Sequence, residues 1–141
     1  MASKSKRISD QEIEKLRNVL ERAGYRCALR VNVRSRLGYE KRYILDIVAT
    51  GENDREFLIK LRWQSTGGTT EAKIPYDVIC LAHARALNER ADKAYLVLGG
   101  SGWSLKDYYI DEGLDRDLRN ADLVEIVAIE EFTRLANAGA I

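Results

Sequence analysis

The first third of the chain changes from a helical to an alternating pattern of apolar residues. Between residues 13 and 23 the apolar side chains recur every three or four positions, which is the period of an α-helix. Ser9 and Glu12 stand three residues apart before this run, as in a capping box, so the helix is predicted to begin at Ser9 and to end at Gly24. Over residues 25–33 apolar residues alternate with polar ones, mainly arginines, which predicts a half-exposed strand.

Two further strands are predicted next, over residues 43–50 and 56–64. Both are rich in apolar β-forming residues, and Gly51 with the polar residues after it marks the turn between them. The pleat of the later strand separates its side chains into an apolar face and a mostly polar face. The apolar face carries Phe57, Ile59, Leu61 and Trp63. The mostly polar face carries Leu58, Lys60, Arg62 and Gln64.

The rest of the chain alternates between helices and strands. Pro75 suits the first turn of an unusually apolar helix that reaches about Arg90. It is followed by a strand over 94–98, a helical or irregular segment over 104–120, a strand over 123–128 and a last helix over 129–137. This order predicts the α/β fold class, with a mixed central sheet flanked by helices. Residues 1–8 are predicted to form a flexible basic N-terminus, and residues 9–141 a single domain.

Length and composition agree with one globular domain. A chain of 141 residues can bury about 68–70% of its unfolded surface, and 45% hydrophobic with 32% charged residues argues against disorder. No apolar run, the five residues from Val78 to Ala82 included, is long enough to cross a membrane, and the N-terminus lacks the apolar segment of a signal peptide. We therefore expect a cytoplasmic protein in which Cys27 and Cys80 are reduced thiols.

The net charge of +1 hides an uneven distribution. Residues 1–43 contain twelve Lys or Arg against five Asp or Glu, so they carry +7 and the remainder carries −6. A dense basic strip in this part is typical of phosphate contacts, and equally of an ordinary solvated surface. Its members are Arg26, Arg30, Arg34, Arg36, Lys41 and Arg42.

Two motifs in the second and third strands point to a known family. Asp46 lies within Leu-Asp-Ile-Val-Ala of the second strand, and Lys60-Leu-Arg-Trp-Gln64 of the third aligns with Glu-x-Lys-Trp-Gln. The segment Gly-Thr-Thr-Glu-Ala-Lys-Ile-Pro-Tyr, residues 68–76, follows. With the order αβββαβ, these motifs resemble the PD-(D/E)xK, or restriction-endonuclease-like, nucleases, in particular a subgroup of small bacterial and phage proteins. The likeness spans residues 9–132.

The resemblance implies Mg²⁺-dependent hydrolysis of phosphodiester bonds in double-stranded DNA. In that superfamily the acids of the second strand and of the triplet bind Mg²⁺, and the triplet lysine assists the attacking water. Asp46 matches the first acid, but Lys60 stands at the second acid and Arg62 at the lysine. An ammonium about 5 Å from a divalent ion would repel it by on the order of 6 kcal/mol at an effective dielectric of about 20. Arginine, in addition, cannot accept a proton at neutral pH.

Three interpretations of this departure remain open. In the first, the second acid has moved to Asp77 or Glu71, while Lys60 extends away to a phosphate. In the second, the site is inactive and the fold serves as a DNA-binding or assembly subunit beside an active nuclease. Lys60 and Arg62 then contact phosphates or pair with Asp46. In the third, the match is accidental and the strand merely exposes two basic residues to solvent; the chain would then be a protein-interaction module whose acidic C-terminal half docks a basic partner.

The resemblance and the charge pattern together select the candidate site residues. Asp46 would bind the metal, Arg62 would stabilise the phosphorane, and Gln64 would orient water or phosphate. Because each active centre cuts one strand, a chain this small is expected to act as a homo- or hetero-oligomer. The candidate catalytic residues are Asp46, Lys60, Arg62, Gln64, Asp77 and Glu71, and the candidate DNA contacts are Arg34, Arg36, Lys41, Arg42 and Lys73.

Overall fold

The structure is a computed structural model that describes residues 4–34, 42–112 and 114–141. The described helices are α1 (Lys4–Arg22), α2 (Ile74–Ala86), α3 (Lys106–Asp111) and α4 (Ile129–Asn137). The described strands are β1 (Arg26–Arg34), β2 (Arg42–Thr50), β3 (Glu56–Trp63), β4 (Ala91–Gly99) and β5 (Val124–Ala128). The predicted order of helices and strands is therefore confirmed.

The five strands form one mixed sheet in the order β1-β2-β3-β4-β5. β2 is antiparallel to both of its neighbours, β1 and β3. β3, β4 and β5 are parallel to one another, because α2 and the segment that contains α3 return the chain to the same end of the sheet. The predicted mixed α/β architecture is confirmed by this topology.

Helices cover both faces of the sheet. α1 and α4 lie on one face, over an apolar cluster that includes Tyr95 and Phe132, whose rings meet edge to face at 5.2 Å. α2 and α3 lie on the other face, over a cluster that includes Leu81 and Leu96. β4 is buried from both sides over residues 94–99, which explains its almost unbroken apolar sequence.

The paired strands β1 and β2 change face halfway along their length. Leu29 and Ile47 pack with the α1 cluster, whereas Val31 and Leu45, two residues away on each strand, pack with the α2 cluster. In a regular strand, residues two apart share a face. Arg30 lies at this change with φ of 54°, a left-handed conformation that is uncommon outside glycine. The outer half of the strand pair is thereby directed toward α2.

The start of the first helix differs from the prediction. α1 begins at Lys4, so the capping box predicted at Ser9 and Glu12 lies inside the helix, and residues 4–8 are helical. Those residues include neither glycine nor proline, and nothing in their sequence ends a helix. The division into a basic N-terminus and one domain stays a prediction.

The end of α2 also differs. The helix ends at Ala86 rather than near Arg90. The Asn88 side chain accepts a hydrogen bond from the Arg90 amide at 2.9 Å, which favours a turn, and β4 already begins at Ala91. Both cysteines are free thiols. Within the described ranges, no helix combines the length and apolar character that a membrane span requires.

Candidate functional site

Asp46 lies where β2 separates from β3. The two strands pair over residues 47–50 and 56–59, so Asp46 and Lys60 are the first residues beyond this ladder. The backbone N–H of Leu61 donates a hydrogen bond to Asp46 Oδ2 at 2.7 Å. The carboxylate thus takes the place of the backbone acceptor that β2 would supply if its pairing with β3 continued. It links the two strands at the point where they separate. We call this point the fork, and its side chains are Tyr43, Asp46, Lys60, Arg62 and Asp77.

Lys60 folds back into the fork. Its ammonium donates to the backbone C=O of Ile44 at 3.0 Å and lies 4.0 Å from Asp46 Oδ2. It also lies 5.1 Å from the ring centroid of Tyr43, within cation–π range. The exposed fraction is 13% for the Lys60 side chain and 16% for that of Asp46. The first of the three interpretations requires Lys60 to extend away to a phosphate. Lys60 instead folds back, so its position contradicts that interpretation.

Arg62 and Asp77 form a second ion pair beside the first. Arg62 Nε donates to Asp77 Oδ2 at 2.6 Å, and a terminal guanidinium nitrogen donates to Oδ1 at 2.8 Å. The Tyr43 hydroxyl donates to the same Oδ1 at 2.5 Å. Asp77 lies fully buried in the first turn of α2, and these three hydrogen bonds compensate for its loss of water. Both of its carboxylate oxygens are engaged by these contacts.

The four charges of the fork influence one another. Burial raises the pKa of Asp46, and the Lys60 charge and the Leu61 amide oppose that rise. Burial lowers the pKa of Lys60, and the Asp46 charge opposes that fall. Burial also disfavours the charged form of Arg62, but its hydrogen bonds and attraction to Asp77 outweigh this, so the pKa of Arg62 is raised. Two carboxylates thus face two cations, and the group is neutral as a whole.

Gln64 and Glu71 belong to a second cluster, beyond the carboxyl ends of β3 and β4. The buried Gln64 amide donates to the Gly102 C=O at 2.7 Å and to Glu71 Oε1 at 3.3 Å. Glu71 also accepts hydrogen bonds from the backbone N–H and the hydroxyl of Ser104. The carboxylate of Glu71 therefore joins the loops after β3 and β4, and groups of these loops hold it rather than groups of the fork.

Glu71 is expected to make the anchoring of these loops depend on pH. Hydrogen bonds from the Ser104 hydroxyl and amide lower the pKa of Glu71. Its contribution to stability is therefore present above its unfolded-state pKa of about 4.3 and is lost as the pH falls through the lowered folded-state value. In urea denaturation we expect Glu71→Gln to be less stable than wild type at neutral pH, and this difference to disappear in strong acid. An equal difference at both pH values would contradict the assignment.

The predicted DNA contacts are only partly within the described residues. Arg34 is exposed at the end of β1, and Lys73 is exposed on the turn before α2. Arg36 and Lys41 lie outside the described residues. Arg42 is described only by its backbone, as the first residue of β2. The two described residues do not take part in the ion pairs of the fork.

Tyr43 is a residue of the fork that sequence reasoning missed. It connects both ion pairs, because its ring faces Lys60 and its hydroxyl binds Asp77. Asp46 lies three positions after Tyr43, a spacing that places two side chains on opposite faces of a regular strand. The face change in β2 brings them together, and the local sequence carries no glycine or proline that signals it.

The Mg²⁺ implied by the resemblance does not fit the fork. A magnesium ion requires carboxylate oxygens that are free to coordinate it, with water or phosphate completing the shell. Asp46 Oδ2 accepts the Leu61 amide and faces an ammonium, and both oxygens of Asp77 accept hydrogen bonds. Across the part of the chain that the structure describes, no group of three or more His, Cys, Asp or Glu is placed to hold a metal ion.

Comparison with known proteins supplies the family. A family model described as "PD-(D/E)XK nuclease superfamily domain" matches residues 3–139. Among solved structures, a "Protein of Unknown Function AF1548" is similar with a TM-score of 0.52 and 13% identity, over 84% of this chain and 56% of that chain. A repair endonuclease from Pyrococcus abyssi is similar with a TM-score of 0.44 and 14% identity, over 83% of this chain and 45% of that chain. No curated protein matches.

This chain spans about half the length of the two solved chains, 56% of one and 45% of the other. The first likeness shows a shared fold, and the mixed five-stranded sheet with helices on both faces is the restriction-endonuclease-like architecture. The family model extends over nearly all of the sequence. The chain belongs to the PD-(D/E)XK nuclease superfamily.

Proposed function

We propose that this chain is a DNA-directed subunit that binds double-stranded DNA without hydrolysing it. The observation that supports this most strongly is the pairing at the fork. Lys60 and Arg62 occupy the positions of the family's acid and lysine, and they pair with Asp46 and Asp77. Because two cations offset two carboxylates, the fork has no excess negative charge with which to attract a divalent ion.

The fork also offers no proton acceptor at the position of the family's lysine. Hydrolysis needs a group that takes a proton from the attacking water or positions that water. Arg62 stands at this position, and its contacts with Asp77 favour its charged form further. A guanidinium does not deprotonate in proteins, so it contributes charge and hydrogen bonds instead. These contacts stabilise the junction of β2, β3 and α2.

DNA binding is proposed to use the basic first third of the chain. Arg26 pairs with Asp54 at 2.8 Å and Arg30 pairs with Asp10 at 3.3 Å; the side chains of Arg26, Asp54 and Arg30 are largely exposed, and that of Asp10 is 41% exposed. Exposed pairs of this kind contribute about 0–1 kcal/mol, so a phosphate can replace the carboxylate at little cost. Together with Arg34, these arginines place positive charge along β1, the edge strand of the sheet.

The proposed subunit acts in an assembly. A subunit that binds DNA without cutting it depends on another subunit for any hydrolysis, and small chains commonly form symmetric or mixed oligomers. The partner that fits this proposal is a second copy of the chain or a nuclease-like subunit in which Glu-x-Lys-Trp-Gln is intact. Sedimentation with and without duplex DNA measures whether such an assembly forms.

A nicking assay tests the absence of cleavage. Supercoiled plasmid is incubated with wild type and with Asp46→Ala, in Mg²⁺ and separately in Mn²⁺. We expect both proteins to leave the plasmid supercoiled in either metal. Metal-dependent cutting by wild type that Asp46→Ala abolishes would contradict the proposal, and would favour the interpretation in which the second acid has moved.

The salt dependence of DNA affinity tests the basic surface. We expect the Kd for a short duplex, measured by fluorescence anisotropy, to rise steeply between about 50 mM and about 200 mM salt. Arg34→Ala is expected to reduce the slope of log K against log salt by about 1, because one phosphate contact is lost. Arg134→Ala is the matched control, since Arg134 is an exposed arginine of α4 that pairs with Glu131. Equal slopes for Arg34→Ala and wild type would remove Arg34 from the interface.

A further inference from the structure

We infer that Lys60 is a built-in cation of the fork, whose ammonium takes the place of a bound divalent ion between the separated ends of β2 and β3. The inference rests on the proposed function, because it explains how the fork is held together when no metal is bound. It assigns Lys60 a structural role rather than contact with DNA.

The surroundings of the Lys60 ammonium resemble the shell of a bound cation. It has a backbone carbonyl oxygen at 3.0 Å, a carboxylate oxygen at 4.0 Å and the face of an aromatic ring at 5.1 Å. These groups belong to Ile44, Asp46 and Tyr43, all on β2, whereas Lys60 itself belongs to β3. The ammonium therefore links the two strands where their hydrogen-bonded ladder has ended.

A cation at this place offsets unfavourable electrostatics at Asp46. Asp46 is mostly buried, and the charge of Asp77 acts on it unfavourably. Arg62 donates its described hydrogen bonds to Asp77, whereas Lys60 lies within ion-pair distance of Asp46. At this distance the Lys60 charge attracts the Asp46 carboxylate and offsets part of the cost of burying it.

Replacing this cation by an acid is expected to create a requirement for a metal. In Lys60→Glu, the carboxylates at positions 46 and 60 meet without an ammonium between them, while Arg62 stays paired with Asp77, and carboxylate pairs bind divalent ions. We expect its Tm to lie below that of wild type and to rise by roughly 5–10 °C when Mn²⁺ is about 100 times its Kd. Wild type is expected to show no rise in Tm with Mn²⁺.

Two control variants make this result specific to the fork. Lys93→Glu makes the same change in charge at a lysine that also lies over a tyrosine ring, at 6.0 Å from Tyr95. Its Tm is expected not to respond to Mn²⁺. Adding Asp46→Asn to Lys60→Glu is expected to abolish the rise. A rise that persists in this double variant, or that equals the rise in Lys93→Glu, would overturn the inference.

The wild-type protein provides a measurement that does not depend on whether the variants fold. The Leu61 amide binds Asp46 directly, so a manganese ion at Asp46 would broaden the Leu61 signal in a proton–nitrogen NMR spectrum. We expect this signal to stay sharp while Mn²⁺ is added. Selective broadening at Leu61 would overturn the inference.

The two proposals fail in different experiments. Broadening at Leu61 in a protein that leaves plasmid uncut overturns the built-in cation and leaves the non-cleaving function in place. Plasmid cutting with a sharp Leu61 signal overturns the non-cleaving function and leaves the built-in cation in place.

Discussion

Replacing Arg62 by methionine is expected to lower the free energy of unfolding by about 3–5 kcal/mol. Methionine preserves much of the side chain's volume but removes both hydrogen bonds to Asp77. Asp77 is fully buried, so its carboxylate would keep the Tyr43 hydroxyl and lose its charged partner. The cost is that of an uncompensated buried charge, which exceeds the net value of the intact pair. Urea denaturation followed by circular dichroism measures it.

Two comparisons isolate the ion pair from general packing. Arg62→Lys keeps the positive charge but cannot make two parallel hydrogen bonds to Asp77. Its free energy of unfolding should therefore fall by less than that of Arg62→Met. Adding Asp77→Asn to Arg62→Met removes the buried charge and is expected to restore part of the stability. If Arg62→Met costs less than about 1 kcal/mol, as an exposed ion pair would, the network described at the fork is contradicted.

Gly100→Ala is expected to destabilise the protein by about 3 kcal/mol, through a steric conflict and a strained backbone together. Gly100 has a φ of 93°, which side chains rarely permit, and a Cβ there would overlap the backbone carbonyl of Gln64. Gln64 cannot easily move away. Its N–H donates to the Gly99 C=O at 3.0 Å and its C=O accepts from the Gly102 N–H at 2.8 Å.

Gly67→Ala is the control for this effect, measured by the same denaturation experiment. Gly67 lies in the loop after β3 without a positive φ, and a Cβ there meets nothing within 4 Å. Its substitution is expected to change stability by less than about 0.5 kcal/mol. Equal effects for Gly100→Ala and Gly67→Ala would contradict the close packing of the loops after β3 and β4.

The faces of β3 could be predicted because this strand is regular and both of its sides are covered. The alternation predicted for residues 56–64 is confirmed, with Ile59 and Leu61 in the cluster under α1 and Leu58 in the cluster under α2. Lys60 and Arg62 thus lie on the same face as Leu58, as the alternation predicts, and Arg62 meets Asp77 of α2 there. The last helix, residues 129–137, could be predicted for a similar reason, since one face of it is apolar.

The assembly of the fork could not be predicted, because it depends on the face change of β1 and β2. That change occurs at Arg30, a residue type that seldom adopts a positive φ, so no sequence signal marks it. It places Tyr43 and Asp46 on either side of the Lys60 ammonium, next to the point where the pairing of β2 with β3 ends. A carbonyl group is thereby left at Ile44 for the Lys60 ammonium to bind.

The directions in which the long side chains of Lys60 and Arg62 point could not be predicted from the sequence either. Lysine has a flexible four-carbon stem, so its sequence position alone does not decide whether it extends outward or folds back. The acceptor at Ile44 and the ring of Tyr43 decide it for Lys60. Asp77 decides it in the same way for Arg62.

Crystals soaked in Mn²⁺ and measured for anomalous scattering test most directly whether the fork carries its own cations. The structure predicts no manganese peak beside Asp46, and an ordered Lys60 ammonium at hydrogen-bond distance from the Ile44 carbonyl oxygen. A manganese ion coordinated by Asp46, with Lys60 displaced from the fork, would contradict it.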